Sequence, residues 1–429
     1  MDDTIFALSS GSPPAAIAVV RVSGPRSGEA LATLAQGLPE PRRASYRSLR
    51  VPRGTVLDRA LVLWFPGPQT ATGEDLAELH LHGGRAVLAA VEAALAAMPG
   101  LRRAVPGEFT RRAFANGRID LAEAEGLADL LSAETELQRR SAIAMAGGMF
   151  SAQVEGWRTR VLTASAAVEA VLDFGDEDDV SDLPLDFAAR IEALGADLSA
   201  WLSRPRAETL REGYRVVLAG PPNAGKSTLF NALVEDEAAI TAPLAGTTRD
   251  VLTRAVAIEG VPFVFADTAG LRDETTDTIE AIGIDRARAA LDRADLVLWL
   301  GEPGQGPHGG WEIAAQIDRA DHGVHHSGSI AARHRVSAVT GEGLDALRRD
   351  LVETARHAMP RPGEAALNAR QHGLLAEAEH ALRASLHERD PLLVAECLRR
   401  ARVAFDGLVG RATTEDMLDT LFGRFCIGK

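Results

Sequence analysis

The sequence predicts a multidomain α/β protein. An N-terminal α+β domain comes first, and an all-α helical domain is made of two separated segments. Between those segments lies an inserted α/β domain with a mostly parallel sheet. Three observations carry this expectation. Residues 1–115 mix short β-like runs with Gly and Pro breaks. Residues 118–212, and again 366–424, repeat apolar residues at three- and four-residue spacing. From 214 onward, short apolar runs alternate with helical ones. The predicted boundaries are 1–117, 118–212, 213–358 and 359–429, the second and last forming the helical domain. A length of 429 residues suits roughly three domains of about 150 each.

The elements follow in chain order. AAIAVVRVSG (15–24), ALVLWF (60–65) and LAELHLHGG (76–84) read as strands, and GRAVLAAVEAALAAM (84–98) as a helix. DLAEAEGLADLLSAETELQRRSAIAMA (120–146) and FAARIEALGADLSAWLSR (187–204) read as amphipathic helices, with the acidic DFGDEDDVSDLP (173–184) as a solvated loop between them. YRVVLAG (214–220) precedes the helical GKSTLFNALV (225–234). PFVFAD (262–267) and DLVLWLG (295–301) continue the buried parallel strands. The Gly- and His-rich stretch 301–335 resists assignment; its WEIAAQI (311–317) is less apolar than a buried strand should be.

Composition narrows the function classes. Forty-six basic against sixty acidic residues leave a net charge of −14. A polyanion therefore needs a local basic patch or a basic partner. Two cysteines, Cys397 and Cys426, argue against a disulfide framework and fit a reducing compartment. The opening MDDTIFALSS lacks a basic region and a long apolar run, and no 18-residue apolar stretch occurs, so a cytoplasmic protein away from membranes is expected. The tail Cys426-Ile427-Gly428-Lys429 is a poor prenylation box, with Gly third and Lys last. Only Lys226 and Lys429 among the basic residues are lysine, which singles out two positions where a compact ammonium serves and a planar guanidinium does not.

The chemistry is densest at GPPNAGKS (220–227), a G-x-x-x-x-G-K-S phosphate loop between a strand and a helix. Gly220 and Gly225 let the backbone bend around phosphates, and successive amides with the helix N-terminus point at negative charge. Asn223, Ala224, Gly225, Lys226, Ser227 and Thr228 form this nucleotide cradle. Lys226 should reach the β- and γ-phosphates, and Ser227 should bind Mg²⁺. GTTRD (246–250) offers Thr248 as a second Mg²⁺ ligand. DTAG offers Asp267 for the metal's outer shell, with Thr268, Ala269 and the Gly270 amide near the γ-phosphate. SAVTGEG (337–343) places Ser337 and Ala338 against a guanine. Together they resemble the GTPase set. The Asn-Lys-x-Asp element that reads guanine is altered: its expected place reads Asp318-Arg319-Ala320-Asp321, with Asp321 as the retained acid. No Gln follows DTAG, so either a carboxylate, with Asp273, Glu274, Asp277 and Glu280 all open, or a group from outside the chain must orient the attacking water.

The whole chain resembles the MnmE (TrmE) family of tRNA-modification GTPases. The resemblance rests on GPPNAGKSTLFNAL, AGTTRD, DTAGLRDETTDTIEAIGI, ATGEDLAELHLHGG (71–84), PGEFTRRAFANGRIDLAEAEGLADLL (106–131) and the terminal FCIGK. It implies a folate-binding N-terminal domain, a two-segment helical domain, an inserted G domain and a homodimer. It also implies a GTPase that works with the FAD-dependent MnmG (GidA) protein on carbon five of the wobble uridine of tRNA. The aminomethyl-type group would draw its carbon from 5-formyltetrahydrofolate or methylenetetrahydrofolate. By the same resemblance, Asn223, Ala242, Leu244 and Thr247 hold K⁺, and Glu280 becomes the catalytic, water-orienting acid. Arg21, Glu78, Arg118 and Lys429 bind folate, and Cys426 lies beside that pocket as a candidate for chemistry. A non-enzymatic GTP-dependent switch, of the ribosome-assembly kind, is the alternative; the folate-type motifs and FCIGK argue against it.

Overall fold

A computed structural model describes residues 3–51, 54–174, 182–235, 238–239, 252–267, 288–319, 332–411, 415–423, 425 and 428. The chain forms two compact units. One draws its described residues from Met1–Ala128, Ser151–Leu162 and Arg402–Lys429, the other from Asp129–Phe150 and Thr163–Ala401.

The first unit is built on β1 (Thr4–Leu8), β2 (Ile17–Ser23), β3 (Ser45–Arg50), β4 (Val56–Phe65), β5 (Leu76–His82) and β6 (Leu101–Arg103). Their order is β3-β4-β5-β2-β1-β6. Every pair is antiparallel except β1 with β6. The alternation in IAVVRVS and LAELHLH sorts the two faces. Val20, Val22, Leu79 and Leu81 turn inward onto Leu31, Leu34, Val91 and Leu95, which belong to helices Ser27–Ala35 and Arg85–Ala96. Each such side chain, fully buried, contributes about 1.5–3 kcal/mol. Ile5 and Ala7 face the other way, where Phe109 of helix Glu108–Ala115 covers them.

The C-terminal segment closes on this unit at two glycines. A Cβ on Gly107 (φ +70°) would sit 2.1 Å from the Phe422 carbonyl oxygen, and one on Gly428 (φ +95°) would sit 1.9 Å from that of Leu8. Only glycine permits both approaches. Phe422 and Phe425 pack with Leu121, Ala124 and Leu418 beside Phe114.

The second unit contains β7 (Tyr214–Ala219), β8 (Ala238–Ala239), β9 (Leu252–Ile258), β10 (Val261–Asp267), β11 (Leu296–Trp299), β12 (Trp311–Ala314) and β13 (His334–Arg335). The order is β13-β12-β11-β7-β10-β9-β8, parallel from β13 to β10, with β9 and β8 added antiparallel. Every residue of β10 is buried, as a central parallel strand requires. Helices Lys226–Val234 and Leu344–His357 supply Leu229, Phe230, Leu233, Leu347 and Leu351 to the same core. Helices Phe187–Leu202 and Ala369–Ser385 pack together; the latter opens on a capping box between Asn368 and Gln371.

The predicted fold class holds: an antiparallel-rich α+β part, helical segments and a mostly parallel α/β part. WEIA proves to be a strand although its composition argued against one. Trp311 and Ile313 carry the burial, while Glu312 turns outward and accepts from the Gly304 amide at 3.2 Å. Strands β1, β3, β6, β8, β9 and β13 were not singled out in the sequence.

Candidate functional site

The phosphate loop runs from the end of β7 to the helix that begins at Lys226. Gly220 (φ +148°), Asn223 (φ +62°) and Gly225 (φ +89°) occupy the left-handed half of backbone space that the turn demands. Gly225 is also crowded, since a Cβ there would lie 2.9 Å from the Gln316 amide nitrogen. The Lys226 side chain folds back into the loop. Its Nζ donates to the carbonyls of Gly220 at 3.0 Å and Pro221 at 2.8 Å, and the residue is 6% exposed. The ammonium is thus held at the centre of the turn.

Register brings the metal-binding groups together. Asp267 ends β10 directly beside Leu218 of β7, and the Ser227 hydroxyl donates to the Asp267 carboxylate at 2.5 Å. Asp267 is 1% exposed. A hydroxyl and a carboxylate at the N-terminus of a helix are the hard oxygen donors that Mg²⁺ takes, so the residues present fit that ion.

The loop that follows β13 forms the other wall. Ser337 is fully buried; its hydroxyl donates to Asp318 Oδ1 at 2.6 Å and accepts from the Thr340 amide at 3.1 Å. Gln316 donates to the Asn223 carbonyl at 3.2 Å. A cavity of about 50 Å³ lies there, lined by Gly225, Thr228, Gln316, Asp318, Ala338 and Val339 among others. The structure thus brings Ser337, Ala338 and Asp318 to the phosphate loop. Asp321 lies outside the described residues, as do Ala242, Leu244, Thr247, Thr248, Thr268, Ala269, Gly270, Asp273, Glu274, Asp277, Glu280, Cys426 and Lys429.

In the first unit, Arg21 of β2 and Glu78 of β5 face each other in register. The guanidinium donates to Glu78 Oε1 from Nη2 at 2.9 Å and from Nε at 3.2 Å, and lies 5.9 Å from the Phe109 ring centre. His80 Nε2 stands 3.3 Å from the other carboxylate oxygen. Arg118 is exposed, in the turn after helix Glu108–Ala115, and its stem lies against Gly73. The structure couples Arg21 to Glu78 and does not bond Arg118 to either.

The sequence did not point to His80, Phe109 or the buried charges beneath them. Arg112 is fully buried. It donates to Glu74 at 3.1 and 3.2 Å, to Glu108 at 3.1 Å and to the Asp3 carboxylate at 2.7 Å. Burial opposes ionisation of Glu108, but the Arg102 guanidinium, the Val105 amide and Arg112 outweigh it and hold this carboxyl below its ordinary value. The available signal was the i, i+4 spacing of Glu108 and Arg112 beside an otherwise apolar helix face.

Comparisons with known proteins match nearly the whole chain. A family model described as the GTP-binding protein TrmE N-terminus matches residues 4–118, and one described as the MnmE helical domain matches 121–426. The tRNA modification GTPase MnmE of Novosphingobium aromaticivorans is 65% identical, with all of both chains covered. That of Erythrobacter litoralis is 62% identical, again over all of both chains. The chain belongs to the MnmE (TrmE) family. A third MnmE, from Rhizorhabdus wittichii, is 59% identical over all of this chain and 97% of its own.

Proposed function

We propose that this chain is a K⁺-stimulated GTP hydrolase of tRNA modification. With an FAD-dependent MnmG (GidA) partner, it installs an aminomethyl-type group on carbon five of the wobble uridine, taking the carbon from a reduced folate. The observation that carries the hydrolase part is the convergence of Lys226, Ser227 and Asp267 on one turn. Lys226 exchanges the Gly220 and Pro221 carbonyls for β- and γ-phosphate oxygens. The loop amides and the N-terminus of helix Lys226–Val234 stabilise the negative charge that gathers during transfer. Ser227 and Thr248, with Asp267 behind, would hold Mg²⁺, which would supply positive charge against the phosphates. Asn223, Thr247 and backbone carbonyls at Ala242 and Leu244 hold K⁺, and Glu280 orients the water.

Base selection rests on Asp318. Its hydrogen bond to Ser337 and its place on the cavity wall support aligning Ala315-Gln316-Ile317-Asp318, three residues earlier than Asp318–Asp321, with the guanine-reading element. Folate is held by Arg21, Glu78, Arg118 and Lys429, with Cys426 beside it, in a cytoplasmic homodimer away from membranes. Among the described residues, no helix is long and apolar enough to cross one.

GTP turnover measured in KCl against NaCl tests the central part. Faster turnover in KCl is expected, with loss of hydrolysis but retained GTP binding in Glu280→Ala. Equal rates in the two salts would remove K⁺ from the account.

A further inference from the structure

Many arginines of this chain are committed to carboxylates of its own, Arg102, Arg112, Arg139, Arg158, Arg211 and Arg399 among them. One cleft of the second unit departs from that habit. It is lined by Ser203, Arg204 and Pro205 ahead of β7, by Arg356 and His357 at the end of helix Leu344–His357, and by the Met359–Pro362 connector that follows. Its volume is about 660 Å³. Three guanidiniums and an imidazole line it against a single carboxylate, Glu364.

Two of these cations have no anionic partner among the described residues. The Arg204 guanidinium carbon lies over the Trp201 indole, 3.9 Å from the ring centre. Trp201 is itself 9% exposed, so the stack fixes the arginine and leaves its outward N–H groups free. Arg361 is exposed, and its carbonyl receives the Glu364 amide, which anchors the turn that presents it. Arg356 donates to the Glu259 carbonyl at 3.3 Å and stands 3.7 Å from its carboxylate. His357 Nδ1 is tied to the Glu353 carbonyl at 2.7 Å, which leaves Nε2 for a ligand. Pro205, Pro360 and Pro362 restrict both connectors, so little order is lost when an anion binds.

We propose that this cleft binds the phosphate backbone of RNA. A net charge of −14 repels nucleic acid from the rest of the surface, so a chain that acts on tRNA needs a concentrated cationic place to receive it. Arg204 and Arg361, planar donors without anionic partners among the described residues, match phosphodiester oxygens, and contacts to phosphate carry no base selection. The proposal rests on the tRNA reading above and locates the contact that reading requires.

The test is tRNA binding by the full chain, followed by fluorescence anisotropy across a salt series, with GTP turnover as the folding control. Arg204→Glu/Arg361→Glu should weaken binding at least about tenfold and flatten the log–log salt slope by about two, the loss of two phosphate contacts. Arg361→Glu alone, at an exposed position, should flatten it by about one, while Arg204→Lys/Arg361→Lys should keep most of the affinity. GTP turnover should be unchanged in all three. Competition with inorganic phosphate separates the sources of the anion. Displacement of tRNA only by RNA supports the proposal, whereas displacement at millimolar phosphate would make the cleft a free-phosphate site. Unchanged affinity and slope in the charge-reversed chain would overturn the cleft alone. Parent protein that binds no tRNA would overturn the cleft together with the functional reading.

Discussion

The Ser337 hydroxyl holds the Asp318 carboxylate at 2.6 Å, on the wall of a cavity that begins at the phosphate loop. Nineteen residues of sequence separate the two. The contact orients an acid whose two oxygens can accept from the ring N–H and the amino group of guanine. Adenine offers no such pair of donors. Asp318→Asn should therefore weaken GTP binding about 10–100-fold and improve tolerance of xanthosine triphosphate, whose C2 carbonyl accepts from an amide. Ser337→Ala should cost about 1 kcal/mol, roughly fivefold in affinity. Asp321→Asn should leave both unchanged. Nucleotide titrations by calorimetry decide between the two acids.

Ser227 and Asp267 share a hydrogen bond that also places both for a metal ion. Ser227→Ala removes one oxygen donor, and the expected result is a higher Mg²⁺ requirement for hydrolysis. Lys226→Ala should lower turnover by about 10²–10³-fold, the usual cost of losing a charge-stabilising donor at a transferring group. Metal titration of steady-state turnover reads the first effect, and saturating metal isolates the second.

The phosphate site was legible in the sequence because backbone sterics fix it. Gly220 and Gly225 must be glycine for the turn, and Lys226 and Ser227 follow from their place at the head of a helix. The acid proposed to read the base was less so. Two aspartates stand three apart at 318 and 321, and the strand before them is four residues of mixed polarity, which leaves the alignment open until the distant Ser337 contact is seen. The Arg21–Glu78 pair needed strand register, which periodicity alone does not give. The charges around Arg112 were not legible as a buried cluster, because arginine rarely lies fully buried without partners that only the fold assembles.

That buried cluster sets a pH dependence for the first unit. Glu108 has its proton affinity lowered on folding, so its contribution to stability is fully present above the ordinary carboxyl value of about 4.5 and is lost as pH falls through the lower, folded value. Glu108→Gln removes a carboxylate from a fully buried guanidinium and should destabilise by about 3–5 kcal/mol, less to the extent that Glu74 and Asp3 compensate. Chemical denaturation at pH 7 and at pH 3.5 should show a gap between parent and variant that narrows at the lower pH.

Gly428 approaches the Leu8 carbonyl too closely for any side chain. Gly428→Ala should displace the terminal segment from β1, spare GTP hydrolysis, and lower tRNA modification on the order of tenfold or more, since the proposed folate-site residues Cys426 and Lys429 would move with it and a misplacement of about an ångström is that costly. Deletion of 426–429 should act in the same direction. Paired assays of GTP turnover and tRNA modification separate this from general unfolding, which would remove both.

The most direct measurement is nucleoside analysis, by mass spectrometry, of tRNA from cells lacking this protein and from the same cells supplied with either the parent chain or Lys226→Ala. The account predicts that the aminomethyl-type wobble uridine disappears in the deletion, returns with the parent and stays absent with Lys226→Ala. Undiminished modified uridine in the deletion strain, or full restoration by Lys226→Ala, would contradict it.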